Sequence, residues 1–415
     1  MARPSIDYGV LPPGPTRKPA TISRTKSILL LAFVLLLGGF VGPRLSTSLQ
    51  GTDFPDFYCA ARLLAEGHGQ ELYDGEVQRE CQARYAGRVG TLYIHPPFEA
   101  LLYLAVGWLP LRLAYLLWSV VNVALLGAVC RLGTQTVPSR DWRVLLAASL
   151  VFVPVLLCLA QGQDSVLLLW LVVLTWTDLR RGRAFAAGCW LGLGLFKFQL
   201  VLPLALALLA SQGRSGRGGL ARGFSLIALV LAGLSIAICG WPVLAGYPTF
   251  LVHLGSQPFA GIDPHAMANF RGLSSILFHG QPAWAIGTVC ILCTAGLIMA
   301  LRDWRDVKSA FGAKPASEAR EEFDRVFART VVLALLVSYH QNPHDLTVLL
   351  LPVFVLSRMV ARAAPRLGLA NWVTAGLLGV LFLPPLHLWL LSSGAYALVS
   401  IPLLGLFLSS ARAVR

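Results

Sequence analysis

Charge is what this sequence has least of. Asp, Glu, Lys and Arg together make up 13% of its 415 residues, where an ordinary globular domain has about 25%. No polar stretch is long enough to form a soluble domain, so the several soluble domains that the length alone would permit are excluded. Eight cysteines are present, but none falls in a metal-binding spacing. Cys290 and Cys293 form a lone CxxC inside an apolar run with no second pair, which argues against a zinc or redox site. No metal box and no cofactor motif is recognisable. A cleavable leader is also missing: residues 1–26 are basic and rich in proline, with no short apolar stretch followed by a small-residue cleavage site. They read as a disordered cytoplasmic tail.

What the chain has in abundance is apolar sequence, 56% of its residues. Runs of about 17–25 apolar residues, the length that spans a bilayer as a helix, recur from residue 27 to the C-terminus. An all-α polytopic membrane protein with about 11–13 membrane segments is expected, 27–415 forming one integral-membrane domain. The net charge of +14 does not point to nucleic acid. The Lys and Arg residues cluster at the ends of apolar runs, where the positive-inside rule places them, and membrane lipids are the partners they imply.

The basic residues orient the chain. Arg17, Lys18, Arg24 and Lys26 precede the first span, 27–46, and place the N-terminus in the cytoplasm. The loop 47–96 is then extracytoplasmic, with an amphipathic helix over 57–66 stopped by Gly67. Cys59 and Cys81 both fall in this loop and can pair if it faces an oxidising compartment. Arg180, Arg181 and Arg183 mark the inside again. Residues 184–210 are flanked by basic residues at both ends, and their two halves are too short to cross. They fit a re-entrant hairpin with Lys197 near its tip, or alternatively one tilted span. Residues 242–281 form a second extracytoplasmic loop. Residues 302–326 carry six Lys/Arg and six Asp/Glu and read as a solvated cytoplasmic linker.

This topology gathers the polar residues on one face: Asp53, Asp56, His95, His253, Asp263, His265, Asn269, Arg271, and the turn from His340 to Asp345. Ionisable groups at membrane depth cost about 2.5–3.5 kcal/mol or more and face a cavity or a partner, so one outer cavity is expected. Bland roles compete. Asp53 or Asp56 can cap the loop helix, with Asp56 the better placed. His344 and Asp345 can cap the next span, and His95 before Pro96-Pro97 can simply shape the turn. Lys197 can snorkel to a surface or hold a buried anion.

Three stretches carry a resemblance: "TDFPDFYCAARLLAEGHGQELYD", "YIHPPFEALLYLAVGWLP", and "QGQDSVLLLWLVVLTWTDLRRGR" with the following "AAGCWLGLGLFKFQL". Together they resemble glycosyltransferase family 87, which includes polyprenol-phosphate-mannose-dependent mannosyltransferases of the GT-C membrane fold. The resemblance implies an inverting transferase in the bacterial plasma membrane, acting on the extracytoplasmic side. It would move a sugar, mannose first, from a polyprenyl-phosphate donor to a lipid-linked or cell-envelope glycan acceptor, without cofactor or metal. The family's acid falls on Asp53, with Asp56 as the second candidate for general base. Lys197, Arg271 and His344 are the implied cations for the donor phosphate. Tyr58, His95, Gln163, Asn269, His340 and Asp345 complete the implied cavity. Two positions depart from the pattern: Lys197 is followed by Phe198 rather than proline, and Asn269-Phe270-Arg271 replaces Asn-x-Ser. A transporter or flippase of lipid-linked sugars is the rival reading.

Overall fold

The structure is a computed structural model and describes residues 52–87, 89–134, 141–211, 214–254, 262–310, 315–363 and 368–410. The tail at 1–26, the span expected at 27–46 and part of the second loop lie outside these residues.

Every element among the described residues is helical. The first loop holds two helices, α1 (Phe54–Ala65) and α2 (Gly75–Ala86). Pro55 sits in the first turn of α1, where its missing N–H is no loss. Asp74 caps α2 by accepting from the amides of Glu76 and Val77, and Gly87 ends it with a φ of 70°. Cys59 and Cys81 are both free and buried, so the disulfide is not formed here.

A short helix α3 (Ala100–Gly107) leads into α4 (Leu111–Gly133), the first full-length apolar helix. Then come α5 (Trp142–Val151) and α6 (Val153–Gln161), bent by 77°, with Pro154 in the first turn of α6. Helix α7 (Ser165–Arg180) is followed by α8 (Ala184–Leu193), a tight 3-10 turn at Gly194–Lys197, and α9 (Phe198–Ser211). After these run α10 (Arg214–Cys239), α11 (Trp241–His253), α12 (Phe270–Leu277), α13 (Pro282–Ala310) and α14 (Ala316–Val337). The chain closes with α15 (Leu350–Ala363), α16 (Leu369–Leu381), α17 (Pro384–Ser392) and α18 (Ser400–Ser409). Among the described residues, five helical stretches are long and apolar enough to cross a membrane, or up to seven if each bent pair counts as one span. The remaining apolar runs fold as shorter pieces, which is how more apolar segments than full spans arise.

Residues 184–211 meet the length and hydropathy of a single span, but their neighbours show a fold-back. Gly219 and Gly223 of α10 lie against Ala184 and Phe185 at the start of α8, and Ile227 lies against Gly192 further along. Helices α8 and α10 therefore run side by side in the same direction. Since α9 ends at Ser211, just before α10 starts, it must return to the end where α8 began. Arg217 of α10 donates to the Leu209 carbonyl near the end of α9. This is the hairpin geometry, with Lys197 at its turn.

The α8–α10 contact depends on glycine. A Cβ on Gly223 would lie 2.1 Å from the Phe185 carbonyl oxygen, and one on Gly188 would lie 2.2 Å from that of Leu220. Such backbone approach is what small residues permit between membrane helices. In an exposed helix Gly→Ala gains about 1 kcal/mol. Here a backbone oxygen cannot step aside unless a whole helix moves, so overpacking decides the sign. Gly223→Ala is expected to destabilise by about 1–3 kcal/mol, read as a lower apparent Tm in detergent. An unchanged or raised Tm would contradict this packing.

The charged stretch 302–326 is not a solvated linker. Its described residues form the end of α13 and the start of α14, and Glu322, Asp324 and Arg325 are buried. Asp324 accepts from the Trp176 indole at 3.0 Å and meets Arg180 at 3.2 Å. Asp303 pairs with Arg329, whose Nε donates to the Phe407 carbonyl. These charges are paired with opposite charges from neighbouring helices, which is why their burial is tolerated.

Candidate active site

The polar residues of the opposite end converge on one cavity of about 200 Å³. Asp53, Asp56, His95, Gln163, Lys197, His340 and Asp345 all line it, alongside apolar walls that include Leu92, Phe196 and Leu251. Residues more than 290 positions apart are thus brought together, as the sorting of polar groups to one face requires.

Asp53 stands at the N-cap of α1, but its side chain caps nothing. Its amide donates to Gln161 Oε1 at 3.1 Å. One carboxylate oxygen accepts from Gln163 Nε2 at 2.7 Å. The other has no hydrogen bond among those of the described residues. Gly162 makes this possible. It turns the chain with a φ of 70°, and an added Cβ there would lie 2.7 Å from the Phe54 Cβ. Only glycine lets α6 end close enough for Gln161 and Gln163 to flank Asp53.

Asp56 is not the helix cap its position invites. Its carboxylate accepts from Gln82 Nε2 at 3.0 Å and from the Thr91 hydroxyl, which ties α1 to α2 and to the strap before His95. Burial, with Asp53 nearby, pushes its carboxyl well above the usual range. Burial also raises Asp53, although its Gln163 hydrogen bond pulls it back. Two neighbouring carboxyls thus differ: Asp56 is enclosed and occupied, while Asp53 keeps an open oxygen in the cavity.

Lys197 forms the floor. It is 2% exposed and its ammonium lies 3.0 Å from Asp345 Oδ1, 3.1 Å from Asp164 Oδ1 and 3.2 Å from Gln163 Oε1. An ammonium has three protons to donate, and three acceptors surround it. The buried anions it holds are therefore the protein's own carboxylates. Asp345 also accepts from Ser165 Oγ and from the Asn342 amide, so it closes the turn before α15 as well as pairing with Lys197.

Four expected residues lie elsewhere. Tyr58 is buried and donates to the Leu109 carbonyl at 2.8 Å, pinning α1 to the loop after α3. Asn269 caps α12 through the Gly272 amide and donates to the Ser338 carbonyl, fixing the approach to the 339–342 turn. His344 is buried beside Asp345, its Nε2 3.6 Å from Oδ1, and does not line the cavity. Arg271 lies 4.2 Å over the Tyr339 ring and donates to the Tyr339 carbonyl; Tyr339 lines the cavity and Arg271 stands behind it. Each is polar and near the right face, but a capping amide, a backbone carbonyl or, for His344, a neighbouring carboxylate stands closer. His340 does line the cavity, and its buried Nδ1 has no partner among the described residues.

Two buried acids at the cavity floor were not anticipated. Glu99 and Asp164 are both 0% exposed. The clue in the sequence was an acid at the edge of an apolar run, four residues after His95 in one case and beside Gln163 in the other, and acids at such depth are costly unless they serve a site. Among the described residues no group of His, Cys, Asp and Glu could hold a metal ion.

The arrangement offers one open carboxylate, a histidine with a free nitrogen, and an internally neutralised floor, all in a pocket with apolar walls. That set suits proton removal from a hydroxyl close to a membrane-held substrate. Searches of curated proteins and of solved structures found no match. The family model of glycosyltransferase family 87 matches residues 93–317, a range that contains His95, Gln163, Lys197 and Arg271. The chain is a member of glycosyltransferase family 87.

Proposed function

We propose that the chain is an inverting, membrane-embedded transferase that moves a sugar, with mannose the leading candidate, from a polyprenyl-phosphate donor to a glycolipid or cell-envelope glycan on the extracytoplasmic side. The observation that carries this reading is Asp53: one oxygen is fixed by Gln163, itself held by Lys197, and the other is open to the cavity. In the proposed step, an acceptor hydroxyl attacks the anomeric carbon from the face opposite the phosphate. The new C–O bond forms as the bond to the phosphate oxygen breaks. The hydroxyl proton passes to Asp53, and polyprenyl phosphate departs with the electron pair.

The leaving phosphate needs hydrogen-bond donors where its charge develops. Lys197 donates to Gln163 and is paired with two of the protein's own carboxylates, so its proposed part is to hold Gln163 and the floor in place. His340, with its unpartnered nitrogen, is the cavity group proposed to meet the phosphate, and Arg271 would have to leave Tyr339 to join it. The apolar wall suits the first isoprene units of a carrier whose tail stays in lipid. Tyr58, Asn269 and His344 support the site from behind.

Inversion is the first check. The product linkage from a donor of defined anomeric configuration should have the opposite configuration, read by NMR of the isolated product. Retention would overturn the single-displacement reading. The base must be ionised to act, and burial raises the Asp53 carboxyl. Activity should therefore be full above that raised pKa. It should fall about tenfold per pH unit below it, with an inflection above the ordinary Asp value of about 3.9. A profile flat down to pH 4 would remove Asp53 as base.

The flippase alternative needs a path to the other face. Beneath Lys197 the hairpin packs Leu200, Val201 and Leu204 against Leu168, Val331 and Leu335, and no polar route continues through these residues.

A further inference from the structure

We propose that the end of the bundle opposite the catalytic cavity carries a binding site for one anionic phospholipid, formed where α9, α10 and α13 meet. Arg217 and Arg305 take its phosphate, and exposed leucine and isoleucine side chains beyond them take its acyl chains. The site does not depend on the transferase reading.

A second cavity, of about 410 Å³, opens between these three helices. Leu209 and Ala210 line it from the end of α9, Arg217 from the start of α10, and Leu301 and Arg305 from the last turns of α13. It is separate from the catalytic cavity. From Lys197 to Leu209 the arm of the hairpin runs about 18 Å, at 1.5 Å per helical residue. Among the described residues no acidic side chain lines this second cavity. Both arginines are exposed. Arg217 Nε donates to the Leu209 carbonyl at 3.1 Å, which holds its guanidinium against the end of α9. Arg305 has no hydrogen bond or ion pair among the described residues. Guanidinium groups present planar forks of donors that match a phosphate, and basic pockets between membrane helices suit anionic lipid headgroups.

The surface next to the arginines decides between a lipid and a free anion. Leu202, Leu206 and Leu209 stand four and three residues apart on α9 and so share one face. Leu202 and Leu206 are 43% and 62% exposed. On α13, Leu297 and Ile298 stand one turn before Leu301 and are 43% and 45% exposed. Both apolar stripes begin at the second cavity and lead away from the charged end. Both also lie on stretches long and apolar enough to cross a membrane. A ligand with an anionic head and apolar tails meets matching chemistry along its whole length here. A soluble phosphate meets it only at the arginines. A lipid seated this way bridges the base of the hairpin arm α9 to α10 and α13, and should therefore stabilise the fold by binding only the native state.

The test uses full-length protein in a neutral detergent, titrated with phosphatidylglycerol, phosphatidylcholine or glycerol 3-phosphate. Bound lipid is counted by native mass spectrometry, and each Tm is compared with that of the same protein without lipid. One phosphatidylglycerol is expected to bind in preference to phosphatidylcholine and to raise Tm. Arg305→Gln should weaken that binding about fivefold, the worth of one arginine at an anionic membrane surface. Arg217→Gln combined with Arg305→Gln should abolish the Tm rise. Arg181→Gln removes the same charge at the same end, from an exposed position just before α8 that lies outside the second cavity. It should change neither readout. Equal binding of the two lipids, an equal Tm rise with glycerol 3-phosphate, or an equal loss in Arg181→Gln would overturn the proposal. Neither readout involves sugar transfer, so this proposal and the transferase reading fail separately.

Discussion

Lys197→Met is expected to leave little folded protein. Removing one partner of a buried ion pair costs about 3–5 kcal/mol, and whole proteins hold only about 5–15 kcal/mol of stability. Here the loss is shared by two acids, because Asp164 and Asp345 both rely on the same ammonium. The apparent Tm and the monodisperse fraction after detergent extraction should both fall. The fault is the stranded charge rather than a missing shape, so neutralising an acid should recover part of the loss. Lys197→Met with Asp345→Asn should be more stable than Lys197→Met alone. If Lys197→Met instead melts like the wild type and only raises the KM for donor, the ammonium faces the donor phosphate and the floor has been misassigned.

Asp53→Asn is expected to slow transfer by about 10²–10⁴-fold, the usual contribution of a positioned general base. The substitution keeps the shape, and its amide oxygen can still accept from Gln163. The fold and donor binding should therefore survive, and the loss should fall on kcat. Asp56→Asn should behave differently. Asp56 accepts from both Gln82 and Thr91, and an amide in its place sets its own donors against one of them. An unmet buried hydrogen bond costs about 1–3 kcal/mol, so Tm should drop and activity should fall only as far as the cavity loosens. The two aspartates are three positions apart in sequence, yet one variant should fail in chemistry and the other in stability. Full transfer by Asp53→Asn, or a larger kcat loss in Asp56→Asn, would reverse their roles.

Much of the architecture was legible in the sequence because membrane folds leave coarse marks. Apolar length gave the helices. Basic flanks left 184–210 as a hairpin with Lys197 near its tip or one tilted span, and the packing of α8 beside α10 selects the hairpin. Asp53 was visible as an acid directly after an apolar run. The partners of Lys197 were not visible, since a sequence shows charges but not which of them face each other. Neither Asp164 nor Glu99 stood out: one follows Gln163 just before a helix and the other precedes α3. Arg271, Asn269 and His344 were drawn toward the cavity by their side chains alone. In the structure an aromatic ring, a cap and a neighbouring carboxylate hold them outside it. Asp56 was read as a cap for the same reason, that helix position is legible and tertiary partners are not. The charged run at 302–326 appeared solvated because a sequence does not show which of its charges meet partners on neighbouring helices.

The account turns on whether a lipid-linked sugar is used at this cavity. The most direct measurement gives purified wild-type protein, in detergent, labelled mannose on polyprenyl phosphate in one reaction and on a nucleotide diphosphate in another, each with octyl α-mannoside as acceptor. Label is predicted to reach the acceptor from the polyprenyl phosphate alone, and to stop doing so in Asp53→Asn. Transfer from the nucleotide sugar would contradict the account. So would movement of the lipid-linked sugar across reconstituted vesicles with no glycoside formed.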